Sequence, residues 1–289
     1  MNILELQNVS YVYGVDTPFR MDALKNINIG FEKGKITGLI GHTGSGKSTL
    51  VQMLNGLIKP SQGKILFEGK DIWEDPKKIR NIRFKVGLVM QYPEYQLFDD
   101  TVKLDIGYAL RNMDLPKEEI EKRVEFAADF VGIDKSYFKK SPFELSGGQK
   151  RRVAIAGIVA MLPDVLVLDE PAAGLDPRGR EEILSRLREY QRTHGATVIL
   201  VSHSMEDMAK YCDNIVVLNH SQVLLSGTTS EVFSRPKELE AVGLDVPEIA
   251  HIAESLRDAG FDLTGELYTV DGVKDAILRY IKKEVRHAN

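Results

Sequence analysis

The stretch GHTGSGKS, Gly41 to Ser48, sets glycines, a lysine and a hydroxyl at the spacing of a phosphate-binding loop. Gly41, Gly44 and Gly46 free the backbone to point successive N–H groups at phosphate oxygens, and a helix opening at the end of the loop adds its positive end. Lys47 is placed to neutralise β- and γ-phosphate oxygens, and Ser48 to give its hydroxyl to Mg²⁺. His42, Thr43 and Ser45 fill the spacer positions and Thr49 follows, so residues 41–49 form the expected ATP-binding stretch, with His42 facing solvent rather than taking part in chemistry. Further on, the run VLVLDE ends in two acids, Asp169 and Glu170, after a strand apolar on both faces. A carboxylate pair there is unfavourable unless it faces a metal or a polarised water. Asp169 is the expected Mg²⁺ partner, directly or through water, and Glu170 the acceptor of the proton from the water attacking the γ-phosphate. An acidic turn at a helix start is the alternative for these two acids alone, and the phosphate loop upstream argues against it.

A second anion site is expected at LSGGQ, Leu145 to Gln149. It opens a helix, so Ser146, Gly147, Gly148 and Gln149 sit at a positive helix end. One chain needs one grip per γ-phosphate. The second is intelligible if it serves a nucleotide held mainly by another subunit.

These residues need a scaffold. Alternating apolar and polar positions over the first forty residues predict an antiparallel β opening. KITGLIG, the loop and STLVQMLNGL predict a strand, loop and helix in that order. A second β section is expected at GKILFEGKDI and VGLVMQ, then two helices over 101–132 with Pro116 in the first turn of the second. From Pro142 onward a helix over KRRVAIAGIVAM, the strand VLVLDE, a helix over GREEILSRLREYQRTHG and the strand TVILVS predict a parallel sheet covered on both faces. Two short amphipathic segments, EIAHIAESLRDAG and GVKDAILRYIKKEV, predict a small helical C-terminal extension.

With 43% hydrophobic and 28% charged residues among 289, the chain can bury a full core. No apolar run approaches the length of about eighteen residues that spans a bilayer, and MNILELQNVS lacks a signal-peptide pattern, so a cytosolic location is expected. The net charge of −4 argues against a broad nucleic-acid surface, and no nucleic-acid partner is expected. The single cysteine, Cys212, is expected to be a buried core thiol. Lys150, Arg151 and Arg152 are read as a solvated helix face.

GHTGSGKST, Gln91, LSGGQ, VLVLDE, AGLD and Ser202–His203 stand in the order and at the approximate spacing that resembles ABC-type ATPase subunits, over about residues 1–235. The resemblance implies an α/β fold: a P-loop NTPase core with a parallel sheet, an N-terminal antiparallel β subdomain, an inserted helical subdomain at about 98–162, and a small C-terminal extension. The division is 1–240 for the ATPase domain and 241–289 for the extension, a candidate dimer contact. It also implies a head-to-tail dimer that sandwiches ATP between the phosphate loop of one subunit and the LSGGQ of the other. Tyr13 would stack on adenine, with Tyr11 as the alternate. Gln91 would sense Mg²⁺ and the attacking water, Asp176 would couple the two sites, and His203 would contact the γ-phosphate. The catalytic set is then Glu170, His203, Gln91 and Lys47, and the metal set Ser48, Gln91 and Asp169.

VMQYPEYQLFDDTV and LSGGQKRRVAIAGIVAMLPDVLVLDEPAAGLDP are similar to the ATPase subunits of energy-coupling factor transporters, importers of vitamins or transition-metal ions, and most to the second of two paralogues that pair as a heterodimer. That similarity implies a paralogous ATPase partner, an integral membrane coupling subunit, a separate substrate-binding membrane subunit, and a peripheral place on the cytoplasmic face of the cell membrane. Tyr92, Tyr95, Leu97 and Phe98 become candidates for the coupling surface. Ala172 departs from the threonine of many relatives, at a position that supplies no required ligand. The competing class, soluble ABC ATPases of ribosomes or DNA, carries paired cassettes or long coiled-coil inserts, and this sequence has neither. A regulatory module without turnover is disfavoured by the presence of Glu170 and His203.

Overall fold

A computed structural model describes residues 1–288, with side-chain surroundings through residue 283. The chain opens with β1 (Asn2–Tyr13) and β2 (Met21–Glu32), then β3 (Ile36–Ile40), the phosphate loop and α1 (Lys47–Leu54). Next come β4 (Gln62–Phe67), β5 (Lys70–Asp71), α2 (Ile79–Lys85) and β6 (Val86–Val89). A helical stretch follows: α3 (Val102–Ile106), α4 (Lys117–Phe130) and α5 (Gly147–Val159). The alternation then resumes with β7 (Val165–Asp169), α6 (Pro177–His194), β8 (Thr197–Val201) and α7 (Met205–Tyr211). The hairpin β9 (Asn214–Asn219) and β10 (Gln222–Thr228) turns at His220–Ser221, both with positive φ, as a tight hairpin turn requires. The short α8 (Thr229–Phe233) and α9 (Pro236–Glu240) lead to α10 (Glu248–Asp258) and α11 (Val270–Ala288).

The strands form two sheets. One is antiparallel with order β2-β1-β4-β5. The other has order β10-β9-β3-β8-β7-β6, in which β9, β3, β8, β7 and β6 are parallel and β10 is an antiparallel edge. The sequence places β3 with the opening strands, yet it joins the parallel sheet, because its five residues are all buried whereas β1 and β2 carry polar positions on an open face. The later β section divides likewise, β4 and β5 going to the antiparallel sheet and β6 to the parallel one.

The parallel sheet is apolar on both sides because each side meets a different core. Val165 and Val167 of β7, Ile199 and Val201 of β8, and Leu39 of β3 pack with α1 and the antiparallel sheet. Leu166, Leu168, Val198, Leu200 and Ile40 pack with α3 to α6 on the opposite face. The period of two along each strand thus sorts consecutive residues into two layers. This double covering fixes the sheet from both sides, and with it the loops at the strand ends. Pro116 is the N-cap residue of α4, one position before the expected first turn. Cys212 is buried beside the sulfur of Met208, and burial pushes its thiol up, as expected of a core thiol.

Candidate functional site

Four adjacent parallel strands deliver their C-terminal ends to one edge of the sheet. β3 leads into the phosphate loop, β8 into Ser202 and His203, β7 into Asp169 and Glu170, and β6 toward Gln91. A cavity of about 290 Å³ opens there, lined by Thr43, Lys47, Ser48, Gln91, Asp169, Glu170 and His203. Met21, Asp22 and Ala23 of β2 supply another wall, a contribution that no local sequence pattern reveals.

The loop geometry is set by glycine at the join to α1. Gly46 has φ +106, and a Cβ there would lie 2.5 Å from the carbonyl oxygen of Ala23, so any side chain would displace the loop. Lys47 is buried; its Nζ donates to the carbonyls of Gly41 at 2.6 Å and His42 at 3.1 Å. Burial lowers its pKa, while Glu170 and Asp169 act the other way. Ser45 is fully buried. His42 is not turned freely to solvent as expected: it is half-buried, with Nδ1 2.7 Å from the Thr43 carbonyl oxygen and Nε2 3.0 Å from Asn219 Oδ1. Asn219 ends β9, so the spacer residue ties the loop to the neighbouring strand.

Asp169 is buried; burial raises its pKa, and the Ser48 side chain, Lys47 and His203 oppose the rise. Glu170 combines three unfavourable features. Its backbone is left-handed, with φ +55. Its Oε1 is buried without a hydrogen-bond partner, although His203 Nε2 lies 3.4 Å away in an orientation that makes no bond. Burial first, and Asp169 second, push its carboxyl up to about 7. Burial and Lys47 lower His203, which favours the neutral imidazole. A carboxylate that is hard to ionise and aimed into a phosphate-sized cavity is suited to taking a proton from water. Arg180, paired with Asp207 at 2.6 Å, opposes the rise at Glu170; the pair brings together α6 and α7, which nothing in the sequence joins. Ser48, Asp169 and Gln91 line the same cavity beside the loop and can each offer a hard oxygen, so the set fits Mg²⁺ shared with phosphate oxygens.

The expected second anion site lies elsewhere. Ser146 caps α5 reciprocally: its hydroxyl accepts from Gln149 N–H at 3.4 Å, and Gln149 Oε1 accepts from Ser146 N–H at 3.0 Å. Gly147 has open space where a Cβ would go, and at Gly148 a Cβ would make only an ordinary contact with Leu175. Neither glycine therefore answers a steric need among the described residues of this chain. None of residues 146–149 lines the phosphate-loop cavity. Asp176 caps α6, accepting from Gly179 N–H at 2.6 Å. Tyr13 meets Thr49 at 3.3 Å through its hydroxyl and stacks edge-on against Tyr11, which packs on the core.

Two further expectations are corrected. Leu97 is buried in the core, whereas Tyr92, Tyr95 and Phe98 are exposed, and Tyr108 packs edge-on against Phe98. Arg151 is not on a solvated face: it is 5% exposed and holds Glu94 by two bonds of 3.0 Å, while Arg152 holds Glu182 at 2.8 Å. Their partners are distant in sequence, so the basic run alone could not reveal the pairing.

Known proteins resemble this chain in sequence and in fold. The ABC transporter family model matches residues 24–173. The energy-coupling factor transporter ATP-binding protein EcfA2 of Clostridium acetobutylicum is 51% identical over 284 residues, covering 98% of this chain and 99% of its own. The protein of the same name from Clostridium perfringens is 49% identical over 280 residues, 96% and 98% of the two chains. Among solved structures, cbiO1 from Clostridium perfringens, part of the ABC transporter complex cbiONQ, matches with TM-score 0.74 at 42% identity over 88% of this chain and 99% of that one. A dimeric post-hydrolysis ATP-binding cassette bound to ADP and Pi matches with TM-score 0.72 at 27% identity over 78% and 98%. This chain belongs to the ABC transporter ATPase family, in the group of the energy-coupling factor transporter ATP-binding proteins.

Proposed function

We propose that this chain is the ATP-binding and hydrolysing subunit of an energy-coupling factor importer, and that it turns over ATP only as half of an ATPase dimer. The observation that carries this reading is the separation of two phosphate grips: four strand ends converge on one cavity, and the glycine-opened end of α5 lies outside it. The loop from Gly41 to Thr49 holds the phosphates, with Lys47 leaving the Gly41 and His42 carbonyls for the β/γ oxygens. Tyr13 rather than Tyr11 faces adenine, on the strength of its contact with Thr49. Ser48, Gln91 and Asp169 would hold Mg²⁺, which supplies charge neutralisation at the phosphates. Ser146, Gly147, Gly148 and Gln149 complete the site of the partner's nucleotide, and Asp176 lies between the two sites.

In the closed dimer a water attacks the γ-phosphorus. Glu170 takes its proton, His203 contacts the γ-phosphate oxygens, the bond to the bridging oxygen breaks, and ADP and phosphate leave as the dimer opens. The ATPase domain spans 1–240 with a helical subdomain at about 98–162, and 241–289 is an extension available for dimer contact. The partners are a paralogous ATPase, an integral membrane coupling subunit seated on the aromatic surface of Tyr92, Tyr95 and Phe98, and a separate membrane subunit that captures a vitamin or transition-metal ion. Among the described residues no helix is long and apolar enough to cross a membrane, so these partners would hold the chain peripherally on the cytoplasmic face. Purification of the tagged chain from detergent-solubilised membranes of its own cell tests this. A second ATPase and an integral membrane protein are the expected companions; ribosomal or DNA-bound proteins alone would leave the hydrolysis chemistry standing and overturn the transport role.

A further inference from the structure

The segment from Gln91 to Asp99 faces three ways. Gln91 lines the nucleotide cavity. Tyr92, Tyr95 and Phe98 point outward, with Tyr95 83% exposed. Glu94, in the short turn Pro93–Gln96, points inward and meets Arg151 of α5 through two 3.0 Å bonds, their side chains 18% and 7% exposed. The far end of the segment is also anchored, because Asp105 Oδ2 accepts from the N–H groups of Phe98 and Asp99. α5 is the helix that Ser146 opens, and its next residue, Arg152, joins it to Glu182 of α6. The left-handed backbone of Tyr92, at φ +55, shows that the turn is held against its local preference.

A planar, two-bonded arginine–carboxylate pair transmits displacement in a way that loose apolar packing does not, since it fixes both distance and orientation. Burying such a pair gives little net stability compared with apolar residues of the same volume. We propose that Glu94 and Arg151 are a positioning pair, a strut by which a membrane subunit seated on Tyr92, Tyr95 and Phe98 sets the position of the Ser146 end of α5, and so the rate at the partner's nucleotide. This rests on the importer reading above. Neither residue touches nucleotide; both act through the helix end.

The test replaces both charges together, Glu94→Gln with Arg151→Met, because one alone would leave an unpaired buried charge and impair folding. Wild-type and double-variant complexes are purified with their membrane subunit, and hydrolysis is measured in the complex and in the ATPase pair detached from it. The expected result is co-purification and detached rate like those of wild type, with stimulation by the membrane subunit reduced at least about five-fold, the lower end of common coupling strengths. Unchanged stimulation overturns the strut, as does loss of co-purification, which would make the pair part of the docking surface. Wild-type chain that brings down no membrane subunit overturns the importer reading and the strut together.

Discussion

Glu170→Gln is expected to stabilise the nucleotide-free protein, by a margin that grows as pH rises from about 4.5 to about 7. Burial and Asp169 raise the Glu170 carboxyl from an ordinary 4.5 to about 7. Between those values the folded state holds a proton that the unfolded chain has released. Stability from this group is therefore fully present below pH 4.5, falls as pH rises, and is lost above pH 7. The gap of about 2.5 pH units, at about 1.4 kcal/mol per unit, corresponds to about 3 kcal/mol. Glutamine keeps the shape without the ionisation, so at pH 8 the variant should be more stable by up to about 3 kcal/mol, or about 6 °C in Tm for a chain of this size. At pH 5 the margin should shrink below about 1 kcal/mol, because the unfolded carboxyl is then only partly ionised. The assay is thermal unfolding of both proteins with a chelator and no nucleotide, across pH 5 to 8. A variant no more stable than wild type at pH 8, or one whose advantage is the same at pH 5, would refute the assignment of Glu170 as a buried carboxylate held ready for a proton.

The same substitution should lower ATP turnover by about two to four orders of magnitude, the usual range for losing a general base, while ATP binding measured by fluorescence titration stays intact. Lys47→Ala should weaken ATP binding about 10- to 100-fold, since charge-assisted hydrogen bonds contribute about 1.5–3 kcal/mol; equilibrium titration with ATP checks this. Gly147→Val meets open space in this chain, so its Tm should stay within about 1–2 °C of wild type, the size of a surface change. Hydrolysis in the assembled dimer should fall about 100- to 1000-fold through loss of a phosphate grip. A Gly147→Val dimer of normal activity would mean that nothing approaches that helix end.

Much of this site was legible because its chemistry is local. The phosphate loop, the acids at the end of β7 and the cap of α5 are each contiguous, and their residue types follow from backbone access, helix dipoles and the penalty for buried charge. The parallel sheet was equally legible, since strands apolar at every position need two covered faces. Relations across the fold were not. The Arg151–Glu94 and Arg180–Asp207 pairs, the wall contributed by Met21 and Asp22, and the tie between His42 and Asn219 depend on which elements become neighbours. Leu97 shows the limit within one loop: it lies between exposed Tyr95 and Phe98, but the turn at Pro93–Gln96 sends it into the core. Its place among the coupling-surface candidates came from the family resemblance, which does not tell which residues of the loop turn inward.

The central claim is that one chain supplies the phosphate loop and another the α5 helix end at each ATP. Its most direct test is the rate of phosphate release per chain, measured for the chain with its co-purifying ATPase partner over a dilution series at saturating Mg²⁺ and ATP. Specific activity is expected to fall toward zero as the concentration drops below the dissociation constant of the pair. A specific activity that stays constant through that range would contradict the shared site and place all of the catalytic groups in a single chain.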